Sequence, residues 1–403
     1  MMKVAFQVAA RFGGTGLGYI SCQAVQGIQD AGMLARVTCL GHEKTDVADA
    51  MIKDVRNAAA LSRVLPRRLV NRLGLDALLE QNYFGFVASR NLRGCDIVHG
   101  YTGQMFETIR AARRRNIRCV VDRPNTHVNF MRRALEAEYK KYDVPFSPYR
   151  ASQVRRETEE LAKCDAVVTC SGFARDTMLD EGVDAGKVHV VPYGVDVGLF
   201  RPEPKRDDVF RVVFVGLICL RKGVQYLLEA WERLGLDNET EHGKAELILQ
   251  GHVLDDAAGV VDYYRSRCRF TVRPHTGNMA ELNDLYNSAS VCVFPSVEDG
   301  FGMVVTEAMA CNRPVIVTEH TGAAEVVEDG IDGFVVPAAR AAVIAEKLRH
   351  LHQHRDSSLG LDARQRISGL TWDAYRSGLL SVYEKIGVTE NDQATGIRHC
   401  ALP

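Results

Sequence analysis

The chain has 403 residues, 46% of them hydrophobic and 25% charged, with a formal net charge of −1. That length exceeds one typical core and suits two domains, and no apolar run approaches the ~20 residues of a membrane span. Eleven cysteines without a Cys-x-x-Cys pair, with Cys22, Cys39, Cys119, Cys170, Cys219 and Cys292 in or beside apolar runs, fit small buried hydrophobes in a reducing, cytoplasmic setting better than a disulfide framework or a zinc site.

The first strand is expected at "KVAFQVA". The opening "MMKVAFQVAARF" is too short an apolar run for a signal peptide and is interrupted by Gln7 and Arg11. The strand enters a loop with Gly13, Gly14, Gly16 and Gly18 and then a helix. It lacks Gly-x-Gly-x-x-Gly spacing, and the next strand, "ARVTCLG", carries no acid at its tip for a ribose. The loop therefore says only that backbone at Gly14 and Gly16 comes close to a ligand, an acceptor or a phosphate.

From Met51 to Arg156 there are 21 Lys and Arg against 9 Asp and Glu. The excess includes "PRRLVNR", "RAARRRNIR" and "FMRRALEAEYKKY", where basic and apolar residues alternate as in surfaces that lie on anionic bilayers. The alternatives are a soluble anionic acceptor or a solvated surface. In the same region "DIVHGY", "RCVVDR" and "DAVVTC" read as buried strands. His99 ends the first of these and His127 follows the second, so either can face a cleft, although a lone histidine is more often structural.

"VPYGVDVGLFRPEPKRDD", rich in Pro, Gly and charge, marks a boundary. Beyond it "FRVVFVGL", "AELILQGH", "CRFTVRP", "VCVFPS", "RPVIVTEH" and "DGFVVP" repeat the strand rhythm, separated by helical stretches such as "GVQYLLEAWERL". Two alternating series predict an α/β chain of two doubly wound domains, with ligands at the carboxyl ends of the strands. The expected division is 1–204, 205–370, a terminal helix 371–386, and a mobile tail 387–403.

Two stretches of the second series carry chemistry. In "VFVGLICLRKGV" a strand ends at Gly216 and a helix starts near Gly223. Arg221 and Lys222 therefore sit where two cations can hold the charge of a departing diphosphate. In "EDGFGMVVTEAM" Gly300 and Gly302 let the backbone turn sharply, and a helix starting near Met303 presents the amides of Gly302, Met303 and Val304. Glu298 and Asp299 precede those amides, with Phe301 between the glycines, and Glu307 lies one turn in. Carboxylates that accept from vicinal hydroxyls, beside amides that hold phosphate or hydroxyl oxygens, suit a sugar nucleotide. Alone, this could be a glycine turn with two surface acids.

Together these stretches, with "KVHVVPYGVD" and the terminal "WDAYRSGLLSVYEKI", resemble the retaining glycosyltransferases of family 4, which have the GT-B fold of two Rossmann-like domains facing across a cleft. The resemblance is specific over the long run "FPSVEDGFGMVVTEAMACNRPVIVTEHTGAAEVVEDGIDGFVVP" and weak in the first half. It implies a nucleotide-diphosphate sugar donor bound by the second domain, a hydroxyl acceptor (glycan or lipid-linked) at the first, and the terminal helix crossing back. It also implies no metal and no cofactor, and a cytoplasmic enzyme of glycan, polysaccharide or glycolipid synthesis, peripheral on the membrane if its acceptor is lipid-linked. No nucleic-acid partner is implied. The family's acidic pair falls here on Asp299 and Glu307, so an aspartate replaces the first glutamate. The family's arginine after Val-Gly is replaced by Leu217, and Arg221 is the candidate to supply the missing guanidinium. A histidine of the first domain contacts the transferred sugar in similar enzymes, which makes His127 and His99 candidates. The competing readings are a sugar-nucleotide 2-epimerase and a non-catalytic sugar-nucleotide-binding subunit. A dehydrogenase fits least, for want of a complete fingerprint.

Overall fold

The structure is a computed structural model that describes residues 2–55, 75–145, 151–236, 244–354 and 359–387. Its first sheet comprises β1 (Val4–Val8), β2 (Leu34–Cys39), β3 (Ile52–Asp54), β4 (Ile97–Tyr101), β5 (Arg118–Arg123), β6 (Ala166–Thr169) and β7 (Val188–Val190). Its second comprises β8 (Phe210–Val215), β9 (Ala245–Gln250), β10 (Thr271–Arg273), β11 (Val291–Phe294), β12 (Val315–Thr318) and β13 (Gly333–Val336). The orders are β3-β2-β1-β4-β5-β6-β7 and β10-β9-β8-β11-β12-β13, and every pairing is parallel. Parallel strands need both faces covered, and the central ones are buried along their whole length, as in the VAFQV of β1 and the VCVF of β11. The two doubly wound domains are those the sequence pattern predicts. Only the short β3 and β7 escape it, because three-residue strands such as "IKD" and "VHV" carry no apolar run.

The first domain's helices are α1 (Leu17–Asp30), α2 (Leu75–Arg90), α3 (Phe106–Arg113), α4 (Val128–Lys141), α5 (Ala151–Lys163) and α6 (Gly172–Asp180). The second domain adds α7 (Val224–Leu234), α8 (Asp255–Arg265), α9 (Met279–Ser288), α10 (Met303–Ala310), α11 (Ala341–His354) and α12 (Ala363–Arg366), followed by α13 (Trp372–Gly387). In each sheet the connections reverse direction between two strands, β1 and β4 in the first, β8 and β11 in the second. Loops that leave on either side of such a switch diverge and leave a crevice at the carboxyl ends.

Two helices tie the domains together. The apolar face of α4 (Met131, Leu135, Tyr139) is buried in the second domain's core with Leu220, Val224 and Leu227. Beside it Glu138 accepts from Gln225 at 2.9 Å and from the Tyr226 hydroxyl at 2.7 Å. At the far end α13 returns to the first domain, where Trp372, Tyr375, Leu379, Val382 and Tyr383 complete the core built on Val4, Phe6 and Val8. It lies along α1, and Gly27 makes the approach possible, because a Cβ there would stand 2.8 Å from that of Arg376.

The same packing decides what the basic stretches can do. Ile109 and Ala112 of α3 are buried, as are Met131, Leu135 and Tyr139 of α4, so these apolar residues are taken up by the core and not presented to a bilayer. "PRRLVNR" and the 388–403 tail lie outside the described residues. No helix among the described residues is long and apolar enough to cross a membrane. None of the ten cysteines there is joined in a disulfide, and nine are buried.

Candidate functional site

The cations and the acids meet because their loops leave the two strands that flank the second switch point. After β8 the chain turns at Gly216 (φ 140°) and makes one 3-10 turn, Leu220–Lys222. It enters α7 through Gly223 in the left-handed conformation (φ 70°). No other residue fits at Gly223, since a Cβ would lie 1.8 Å from the carbonyl oxygen of Pro295 in the loop after β11. Val297 N–H donates to the Arg221 carbonyl at 2.9 Å, which fixes the two loops to each other.

Across that contact the side chains pair one to one. Lys222 is ion-paired with Asp299, and Arg221 Nε donates to Glu298 Oε2 at 2.8 Å. Burial acts to raise both carboxyls, but Arg221 and the Thr126 hydroxyl hold Glu298 below its usual range, and Lys222 with Arg221 does the same for Asp299. The two acids then separate in role. Glu298 has no exposed surface and accepts from Thr126 N–H at 3.2 Å and from its hydroxyl at 2.6 Å. Asp299 keeps a small exposed fraction beside the partly exposed Lys222. Of the two neighbouring acids, only Asp299 keeps any exposed surface.

Beyond Asp299, Gly300 packs against the first domain, where a Cβ would meet the Pro124 carbonyl oxygen at 2.2 Å. Ser171 Oγ donates to the Gly300 carbonyl at 2.7 Å. Gly302 (φ 85°) is the N-cap of α10, and no side chain caps this helix. The first-turn amides, including those of Met303 and Val304, therefore keep donors that the helix itself cannot use. Glu307, one turn in and partly exposed, accepts from the Tyr286 hydroxyl of α9 at 2.7 Å. Burial pushes its carboxyl up to about 7, against the lowering effect of that hydroxyl.

The other expected site residues are placed differently. Phe301 is buried in the first domain's core, edge-on to Tyr193 at 5.4 Å, and is not a cleft wall. His127 is buried and is the N-cap of α4, its Nδ1 accepting from Asn129 N–H at 3.2 Å. Burial and Arg123 lower its pKa to about 4. His99 is fully buried, 2.6 Å from the Tyr383 hydroxyl, and burial lowers it to about 3. Both imidazoles are buried within the fold, and the Nε2 of each has no hydrogen-bond partner in the structure. At the glycine loop Gly16 (φ 57°) has open space where a Cβ would project. Gly14 instead lies against the Arg11 carbonyl oxygen, 3.0 Å from such a Cβ. Leu217 is 49% exposed where the resemblance implies an arginine. A groove of about 840 Å³ runs along α9 from Gln250, Arg273 and His275 to Arg211, and shares none of its lining with the acid–cation cluster.

A family described as "Glycosyl transferases group 1" matches residues 209–354, and one described as "Glycosyltransferase Family 4" matches residues 25–199. Each domain thus matches a glycosyltransferase model, and together the two matches span most of the chain. A D-inositol 3-phosphate glycosyltransferase of Xylanimonas cellulosilytica is 29% identical over 65% of this chain and 66% of its own length. An alpha-maltose-1-phosphate synthase of Mycolicibacterium smegmatis is 29% identical over 60% of this chain and 70% of its own. The chain thus spans just under two thirds of the first of these relatives. Among solved structures, a sucrose-phosphate synthase from Thermosynechococcus elongatus superposes with TM-score 0.68 at 19% identity, covering 96% of this chain and 99% of that one. The Anabaena protein HepE in complex with UDP-glucose superposes with TM-score 0.68 at 14% identity, covering 96% and 100%. These likenesses show the fold alone, GT-B, with two Rossmann-like domains.

Several groups that shape the site carried no usable sequence signal. Asn125 and Thr126 reach Arg221 and Glu298 from a loop after β5. Tyr286 sits on a helix face that reads as core. Glu325 accepts from the amides of Gly172 and Phe173, capping α6 of the first domain from the second. Ser171, also missed, has the residue type that caps helices and stands one position before the helix it caps.

Proposed function

We propose that this glycosyltransferase moves a sugar from a nucleotide-diphosphate donor to an acceptor hydroxyl with retention at the anomeric carbon and without a metal. The observation that supports the reading is the meeting of Arg221, Lys222 and Asp299 at one switch point, beside the uncapped start of α10 with Glu307 one turn into that helix. The α10 amides and Glu307 hold donor oxygens and hydroxyls, with Asp299 as the second acid. Lys222 and Arg221 take the charge that develops on the leaving diphosphate. The acceptor oxygen bonds to the anomeric carbon as the bond from that carbon to the β-phosphate oxygen breaks. The acceptor proton passes to the departing phosphate on the same face, so no strong protein base is needed, and positioning supplies much of the rate.

For the acceptor we favour a soluble anionic molecule over a lipid-linked one, because the apolar faces of α3 and α4 are buried. The relatives named for inositol phosphate and maltose phosphate agree with a phosphorylated polyol or sugar. The test is a screen of nucleotide sugars against phosphorylated and neutral acceptors, with mass analysis of products and with EDTA in parallel. A glycosylated product with the donor's anomeric configuration, formed in EDTA, is expected. Release of free nucleoside diphosphate without an acceptor would favour the epimerase reading, and binding without turnover the non-catalytic one. An inverted product or an absolute need for a divalent ion refutes the mechanism.

A further inference from the structure

Glu298 lies where no ligand reaches it, and both of its oxygens are taken by protein groups. Oε2 accepts from Arg221 Nε at 2.8 Å, and Oε1 accepts from the N–H and hydroxyl of Thr126. Arg221 in turn donates from Nη2 to Asn125 Oδ1 at 2.8 Å. The four groups close a ring, with Asn125 and Thr126 from the first domain and Arg221 and Glu298 from the second. Arg221 is 25% exposed, so the ring holds it by two edges while part of it stays open to the cleft.

We propose that Glu298 is a positioning residue that aims Arg221 at the leaving diphosphate, and that it does so only when the two domains are closed. This rests on the nucleotide-diphosphate reading above. An arginine side chain loses about 2 kcal/mol of rotamer entropy when fixed, and a carboxylate on Nε sets the plane of its guanidinium. The need arises because Leu217 stands at the usual arginine position. The guanidinium arrives instead from a 3-10 turn four residues later, and within the second domain Glu298 holds its Nε at 2.8 Å. If the domains part, Glu298 loses both Thr126 donors and Arg221 loses Asn125, so the two charges settle on each other and not on the diphosphate. Closure and leaving-group stabilisation are thereby one event.

The experiment compares nucleoside diphosphate with monophosphate, since the difference reads contacts to the β-phosphate and needs no acceptor. Calorimetric titration of the full chain with UDP/UMP, GDP/GMP and ADP/AMP selects the pair that binds best. That pair is then carried to Glu298→Gln, Thr126→Val and Thr126→Ser. The wild-type chain should prefer the diphosphate by about tenfold or more, the worth of one charge-assisted contact. Glu298→Gln and Thr126→Val should bring the preference to within about threefold with monophosphate affinity unchanged. Thr126→Ser, which keeps the hydroxyl, should retain it. Melting curves check that each variant folds, and Thr126→Val, nearly isosteric and remote from the ligand, keeps the test open if Glu298→Gln does not. Variants that keep the wild-type preference, or that lose both affinities equally, overturn the proposal. A wild-type chain with no preference for any diphosphate removes the reading beneath it.

Discussion

Gly223→Ala tests whether the two loops of the second switch point are as tightly joined as the geometry shows. The new side chain suffers twice. At φ 70° a non-glycine residue costs about 1–2 kcal/mol. Its Cβ would also stand 1.8 Å from the Pro295 carbonyl oxygen and 2.6 Å from the carbonyl carbon, so the backbone itself must move. Overpacking of that kind costs about 1–3 kcal/mol. Together the loss is roughly 2–5 kcal/mol, a fall of about 4–20 °C in melting temperature for a domain of this size. The same displacement carries Lys222 away from Asp299, so nucleotide affinity should fall as well. Differential scanning calorimetry and nucleoside diphosphate titration measure the two effects. Gly259→Ala is the control: it sits mid-helix in α8 with open space around it, and alanine there should stabilise by about 0.5–1 kcal/mol. A Gly223→Ala protein that melts with the wild type and binds as tightly would refute the contact between the loops.

Three further outcomes follow from the site. A carboxyl raised to about 7 at Glu307 is protonated below that pH, so donor affinity should climb between pH 6 and 8 and level above; Glu307→Gln should abolish the climb, and Glu307→Ala should cost about 1.5–3 kcal/mol of donor binding. Lys222→Gln should lower kcat more than it raises KM, because the charge it meets develops as the bond breaks, and unchanged kcat would place the leaving group elsewhere. His127→Ala should cost about 1 kcal/mol of stability through the lost α4 cap and leave nucleotide affinity intact. In the wild type the same histidine, lowered to about 4, contributes stability at neutral pH that is lost as pH falls from 6.5 through 4, because the unfolded chain takes up the proton first.

What could be read from the sequence follows the range over which each signal acts. Strand and helix periodicity is local, so β8 through β13 and the start of α10 at Met303 were legible. So was the pairing of the Arg221-Lys222 and Asp299-Glu307 clusters, since both sit just past strands of one series. Which of Glu298 and Asp299 keeps exposed surface was not, because neighbouring carboxylates in a glycine turn have no periodicity to orient them. The i, i+4 stripe Met131, Leu135, Tyr139 announces a buried helix face, but nothing local says that the face is buried in the other domain. His127 has the residue type of a catalytic group and the position of a cap. Its side-chain contact with Asn129, two residues on, decides between them only once the backbone is known.

The return of α13 has a consequence for how the chain is made. The first domain's core includes Phe6, Ile20 and Ala24 near the start and Tyr375, Leu379 and Tyr383 near residue 380. Roughly 180 residues separate the end of β7 from Trp372, which at about 5–20 residues per second is ~10–40 s of synthesis. Throughout that interval the nascent first domain presents an unfilled apolar seat. Whatever occupies it in the meantime, a chaperone or the same helix of a neighbouring chain, is displaced only when the ribosome has delivered the final helix. Crowded polysomes are therefore where exchange of this helix between copies should begin.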